Sequence, residues 1–149
     1  MDKWVSIWGN AVSVAENRPE RYARDITICY PIRIPFPGTA VKLTFDNYCG
    51  TEPVTLNKVT VLRGGTFFPV LFDGGGEVTI SAGEKAVSDP LKVEIMESEL
   101  IYVSFYLKDF TLMRSVVYTS GPLSEGLYAN GDETENAHID INTSRKTHL

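Results

Sequence analysis

Residues 41–62 read VKLTFDNYCGTEPVTLNKVTVL, and their pattern decides the fold. In the first half, Val41, Leu43 and Phe45 alternate with Lys42, Thr44 and Asp46. A period of two marks a strand with one face buried and the other in water. Asn47-Tyr48-Cys49-Gly50 supplies turn chemistry, and Pro53 stands before the next strand. Val54 and Leu56 fall on even positions, whereas Val59 and Val61 fall on odd ones. Asn57-Lys58 is therefore expected to hold a bulge or tight bend that restores the facing. The stretch reads as a β-meander, and the rest of the chain repeats its pattern.

Upstream, Ile26, Ile28, Tyr30, Ile32, Ile34 and Phe36 alternate with Thr27, Cys29, Pro31, Arg33 and Pro35. Proline cannot donate to a ladder, so this strand is expected at a sheet edge or interrupted by bulges. Trp4-Val5-Ser6-Ile7-Trp8 is apolar on both faces, as in a doubly covered strand, and both tryptophans are read as core. Residues 13–24 are polar and read as a connection with room for one helical turn. Downstream, Val78 with Ile80 and Leu91, Val93 with Ile95 mark short strands. Ile101, Val103, Phe105 and Leu107 alternate with Tyr102, Ser104, Tyr106 and Lys108. Residues 115–118 are another expected strand, residues 120–137 a long loop, and Ile139 with Ile141 a last strand.

Short strands separated by turns at regular spacing imply an all-β fold, an antiparallel β-sandwich or jelly roll. One domain is expected over residues 1–141, with residues 142–149 as a polar tail or linker. The even-numbered residues of 26–36 and the odd-numbered residues of 101–107 are expected to face one core.

The chain has 149 residues, 43% hydrophobic and 22% charged, in the range of an ordinary globular domain. A net charge of −5 argues against nucleic acid or an anionic membrane as partner. No apolar run approaches the roughly 18 residues of a membrane span. Met1-Asp2-Lys3-Trp4 starts no signal-peptide pattern, so the chain as given is expected to be cytoplasmic, with secretion of a longer parent protein left open. Cys29 and Cys49 could bridge, but their number and spacing fit neither a disulfide framework nor a zinc site, and they read as reduced thiols.

Catalysis by a nucleophile needs a serine or cysteine, a histidine within reach and an orienting acid. His138 and His148 are the only histidines, and no G-x-S-x-G elbow occurs. No catalytic residue and no cofactor is assigned. Asp132, Glu133, Glu135, His138 and Asp140 form an acidic cluster able to offer oxygens to a hard cation, although the loop lacks an EF-hand pattern and a solvated acidic loop is the more common explanation. Tyr102 and Tyr106 share the polar face of their strand, about 13 Å apart, and exposed rings so placed could stack on sugars. That face could instead pack on the second sheet's loops or on a catalytic domain. Asn47, Gly50 and Pro53 read as turn-building residues.

Several blocks together resemble the β-sandwich domain N-terminal to the catalytic domain of many bacterial SGNH (GDSL-type) hydrolases. They are Trp8-Gly9, Val41 to Asn47, Cys49-Gly50-Thr51-Glu52-Pro53-Val54-Thr55-Leu56, Val78 to Glu84, and Val87-Ser88-Asp89-Pro90-Leu91. The resemblance runs from Trp8 to about Leu107. It does not extend to the hydrolase motif: Gly131-Asp132 is followed by Glu133, not serine, and no Asp-x-x-His pair occurs. It implies a non-catalytic accessory module that packs on a C-terminal hydrolase domain of a parent chain. The alternative is an independent carbohydrate-binding module.

Overall fold

The computed structural model describes residues 3–9, 13–14, 21–113, 115–116 and 127–136. The strands are β1 (Ser13–Val14), β2 (Arg21–Ala23), β3 (Ile26–Arg33), β4 (Gly38–Val41) and β5 (Thr44–Asp46). They continue with β6 (Val54–Leu56), β7 (Lys58–Arg63), β8 (Thr66–Pro69), β9 (Val78–Ile80) and β10 (Lys85–Val87). The last are β11 (Leu91–Ile95), β12 (Leu100–Leu107), β13 (Thr111–Met113), β14 (Ser115–Val116) and β15 (Leu127–Asn130). Among the described residues there is no helix, and so none long and apolar enough to cross a membrane.

One layer is a five-stranded antiparallel sheet in the order β15-β3-β12-β7-β8. Its centre is β12, which pairs along its whole length with β3, Ile101 opposite Ile32 and Leu107 opposite Ile26. On its other side β12 pairs with β7, Val103 opposite Val61. Strands β7 and β8 form a hairpin closed by Gly64-Gly65. Both glycines have positive φ, 56° and 80°, as a two-residue hairpin turn of matching twist requires.

The second layer is a long ribbon. Strands β4 and β5 run antiparallel to β11 and β10, and the ladder resumes beyond a break as β6 against β9. At Ser88 the side chain joins the ladder: its Oγ accepts the Leu43 N–H at 2.9 Å, while its own N–H donates to the Leu43 carbonyl at 2.8 Å.

The layers bury one core. Ile28, Ile32, Val59, Val61, Ile101, Val103 and Leu107 of the sheet meet Val41, Leu56, Ile80, Val93 and Ile95 of the ribbon. Rings cross the gap in a chain: Trp8 to Tyr30 (5.5 Å), Tyr30 to Phe105 (6.1 Å), Phe105 to Phe45 (5.2 Å) and Phe45 to Phe72 (6.1 Å). The all-β antiparallel sandwich read from the alternation is thus the observed fold.

Several local expectations need correction. Residues 41–62 are not a meander, because β5 pairs with β10, β6 with β9 and β7 with β12. Asn57 is where the chain leaves the ribbon for the sheet, which is why the parity changes there. Its N–H donates to the Tyr106 carbonyl, and its side-chain oxygen accepts the Lys108 N–H. Residues 21–23 and 13–14 are strands, not a helical turn, and β15 lies inside the expected long loop. Residues 3–9 join no β-ladder, and Trp4 is 50% exposed. Phe36, beyond the end of β3, is exposed rather than core. Strand β3 is interior, and among the described residues β15 reaches only as far as Cys29, so Pro31 is paired there with Tyr102 of β12. The expected strand at 138–141 and the tail at 142–149 lie outside the described residues.

Candidate functional site

The inner face of the five-stranded sheet is spent on the core, so any site on this layer belongs to the outer face. Parity places Tyr102, Ser104 and Tyr106 of β12 there. Register then defines rows across the strands. Pro31, Tyr102, Leu62 and Phe67 lie opposite one another on β3, β12, β7 and β8. All four are half-buried, and none belongs to the core cluster. At about 4.8 Å per strand the row is roughly 14 Å long.

The next row is different. Cys29, Ser104 and Thr60 are buried, although their parity marks this face as wet. Residues 131–136, which follow β15, are fastened across the same face by threonine hydroxyls from the sheet. Thr27 Oγ1 donates to the Gly131 carbonyl at 2.7 Å and accepts the Glu133 N–H at 2.9 Å. Thr60 Oγ1 donates to the Thr134 carbonyl at 2.5 Å, and Thr134 is fully buried.

This segment carries the acidic cluster, and its carboxylates are engaged locally. Asp132 Oδ1 accepts the Thr134 N–H and hydroxyl at 3.1 and 2.6 Å. Lys58 Nζ stands 3.8 Å from Asp132 Oδ2 and 3.3 Å from Glu135 Oε1. Glu133 Oε2 accepts the Asn136 amide at 2.7 Å. Lys58, Asp132, Glu133, Glu135 and Asn136 rim a shallow depression of about 290 Å³. Among the described residues no three acidic, histidine or cysteine side chains converge to hold a metal ion. His138 and Asp140, the other two members of the expected cluster, lie outside the described residues.

The two tyrosines have separate surroundings. Tyr102 belongs to the apolar row. The Tyr106 hydroxyl donates to the Asp25 carboxylate, on a residue with φ of +50°. That hydrogen bond, with desolvation and the charges of Asp25, Asp132 and Asp109, pushes the Tyr106 phenol up to about 12.

Neither thiol forms a bridge: Cys29 and Cys49 are both free. Burial pushes the Cys29 thiol up, partly offset by a hydrogen bond with Ser104. A buried thiol held protonated is a poor nucleophile.

The turn residues singled out from the sequence form one structural unit. Asn47 is buried in the break of the ribbon. Its Nδ2 donates to the carbonyls of Glu52 (2.9 Å), Ile80 (3.1 Å) and Ser81 (3.3 Å). Its N–H donates to the Glu84 carbonyl, and its own carbonyl accepts the N–H groups of Gly50 and Gly83. Pro53 is exposed beside it, and Trp8 packs on Tyr30.

Sequence reasoning missed the docking of residues 131–136. The available signal was Asp132-x-Thr134, a spacing at which an aspartate accepts the N–H two residues on and makes a compact turn. No protein-family model matches the chain, and no curated protein matches it.

Proposed function

We propose that this chain is a non-catalytic accessory β-sandwich domain that packs on a neighbouring catalytic domain, of the SGNH/GDSL hydrolase type that the sequence resembles. The observation that carries the reading is the row Pro31, Tyr102, Leu62 and Phe67: apolar, half-exposed and outside the core. Burying such a row against a second domain is favourable by about 25 cal/mol per Å² of apolar surface. Residues 131–136 are fastened to the same sheet face beside it. Asn47 ties together residues 47–53 and 80–84, two of the blocks on which the resemblance rests, through its side chain and backbone.

The gene downstream of Leu149, or its immediate neighbours, is then expected to encode a strand ending in a Gly-Asp-Ser block. The chain alone is expected to leave p-nitrophenyl acetate untouched, and the joined protein to hydrolyse it. In the joined protein, Leu62→Asp with Phe67→Asp is expected to loosen the two domains and change activity. Ester hydrolysis by the short chain, or the absence of any nearby hydrolase gene, would overturn the reading.

A second reading, an independent carbohydrate-binding module, is favoured by Tyr102, whose half-exposed ring lies flanked by Pro31 and Leu62. Calorimetric titration with soluble oligosaccharides would select it if micromolar binding appeared and vanished in Tyr102→Ala.

A further inference from the structure

The sequence holds a single Asn-Gly pair, Asn130-Gly131, and the fold places it where β15 gives way to the segment fastened on the outer sheet face. Asn130 ends β15 opposite Ile26 of β3 and is exposed. Gly131 turns the chain with a φ of +79°, and a Cβ there would meet nothing within 4 Å. Its N–H donates to the Asp25 carbonyl at 2.6 Å, and its carbonyl accepts the Thr27 hydroxyl at 2.7 Å.

We propose that Asn130 is a self-modifying site, which deamidates through its own backbone when residues 131–136 lift from the sheet and thereby keeps them from docking again. The Gly131 nitrogen loses its proton to solvent and bonds to the side-chain carbonyl carbon of Asn130. The carbon–nitrogen bond of the side-chain amide breaks, ammonia leaves, and a five-membered succinimide remains. Water, the one co-reactant, opens either ring carbonyl and leaves aspartate or isoaspartate at position 130. Glycine suits the step because no side chain shields its nitrogen. The docked fold opposes it twice. The Gly131 hydrogen is committed to Asp25, and ring closure needs rotation about the Asn130 Cα–C bond, which the pairing of β15 with β3 restrains. Thr27 holds the same segment through Gly131 and Glu133, so these restraints lapse together and the reaction draws on the locally opened population. Either product adds a carboxylate next to the residue bonded to Asp25 and two positions from Asp132. Isoaspartate also lengthens the backbone by a methylene, which spoils the register with Thr27.

The full chain is aged at neutral pH and body temperature, folded or in guanidinium chloride, and tandem mass spectrometry follows the change from amide to acid at residue 130. The folded chain is expected to react at least about tenfold more slowly than the unfolded one. Thr27→Val, similar in shape but unable to hold Gly131 and Glu133, is expected to raise the folded rate several-fold. If dichroism shows that this variant does not fold, Thr60→Val, which frees the Thr134 carbonyl alone, makes the same test. The isoaspartyl form, separated by its extra charge, is expected to unfold at lower urea than the fresh chain. No reaction at residue 130 in the unfolded chain, equal rates in the two states, no acceleration in the folded threonine variant, or an unmoved urea midpoint in the isoaspartyl form would each overturn the proposal.

Discussion

The side-chain oxygen of Asn47 stands 1.9 Å from the point that a Cβ on residue 50 would occupy, and its amide carbon 2.6 Å from it. Gly50 has no positive φ, so it is close approach and not backbone conformation that demands glycine. Asn47 cannot step aside, because its two amide hydrogens are shared among the carbonyls of Glu52, Ile80 and Ser81. The pair sits where the ribbon breaks between β5·β10 and β6·β9. There the side chain takes over the backbone pairing that the excursion interrupts.

Gly50→Ala is therefore expected to cost about 1–3 kcal/mol, the usual range for overpacking a tight site. Asn47→Ala leaves carbonyls without their donor and is expected to cost about 1–3 kcal/mol. The double variant tests the cause. With Asn47 shortened, a methyl group added at position 50 has room, so the two costs should fall well short of adding. Urea denaturation of all four proteins measures the coupling, and strict additivity would show that the two residues act independently.

Phe45 touches both Phe105 and Phe72, and so couples the ribbon to the sheet and to the segment after β8. It is only half-buried, which places Phe45→Ala at the lower end of aromatic truncations, about 3 kcal/mol. The denaturation midpoint should fall with little change in slope. An unmoved midpoint would mean that the ring does not join the layers.

Alternation made the strands legible. The even positions of 26–34 and the odd positions of 101–107 point to one core because a pleated strand with one wet face has no other option. Pairing was not legible. Ile28 lies opposite Phe105, and Phe45 opposite Ala86, and nothing in a local period says which distant strand will be the partner. The meander reading failed for that reason, since a parity change at Asn57 looks the same for a bulge as for a change of sheet. At the candidate site, parity correctly put Tyr102 and Tyr106 on the outer face. It could not show that Thr27 and Thr60 would spend their hydroxyls holding residues 131–136, because threonine on a wet face is ordinary. Nor could it show that Trp4, apolar among apolar neighbours, would sit half-exposed under Lys42.

The thiols should separate cleanly by reactivity. Cys29 is 3% exposed, and its thiol is pushed up by burial, whereas Cys49 is half-exposed in the turn beside Asn47. A thiolate-selective disulfide reagent at neutral pH is expected to titrate Cys49 in the folded protein, and Cys29 only after unfolding. Cys49→Ser should then abolish the fast phase. A fast phase that survives in that variant would mean that the outer sheet face opens readily over Cys29.

Tyr106 and Asp25 make the most specific pH prediction. The folded phenol is raised to about 12, and its first cause is the hydrogen bond donated to the Asp25 carboxylate. In the unfolded chain a tyrosine titrates near 10. A group whose folded value lies above its unfolded value stabilises the fold fully below the unfolded value and loses that contribution as pH rises through the folded one. The pair should therefore support the fold throughout the neutral range and fail between about pH 10 and 12. Asp25→Asn removes the charge that opposes the phenolate, so Tyr106 should ionise at lower pH. In ultraviolet difference titration one tyrosinate step should move downward. Tyr106→Phe should remove that step and leave the late step of Tyr30, which burial alone raises. If the titration curves of Asp25→Asn and the unaltered chain superimpose, the Asp25–Tyr106 contact does not persist in solution. The 24–25 turn would then be held by its backbone bonds to Lys108 and Gly131 and by the Arg24 guanidinium over the Phe110 ring.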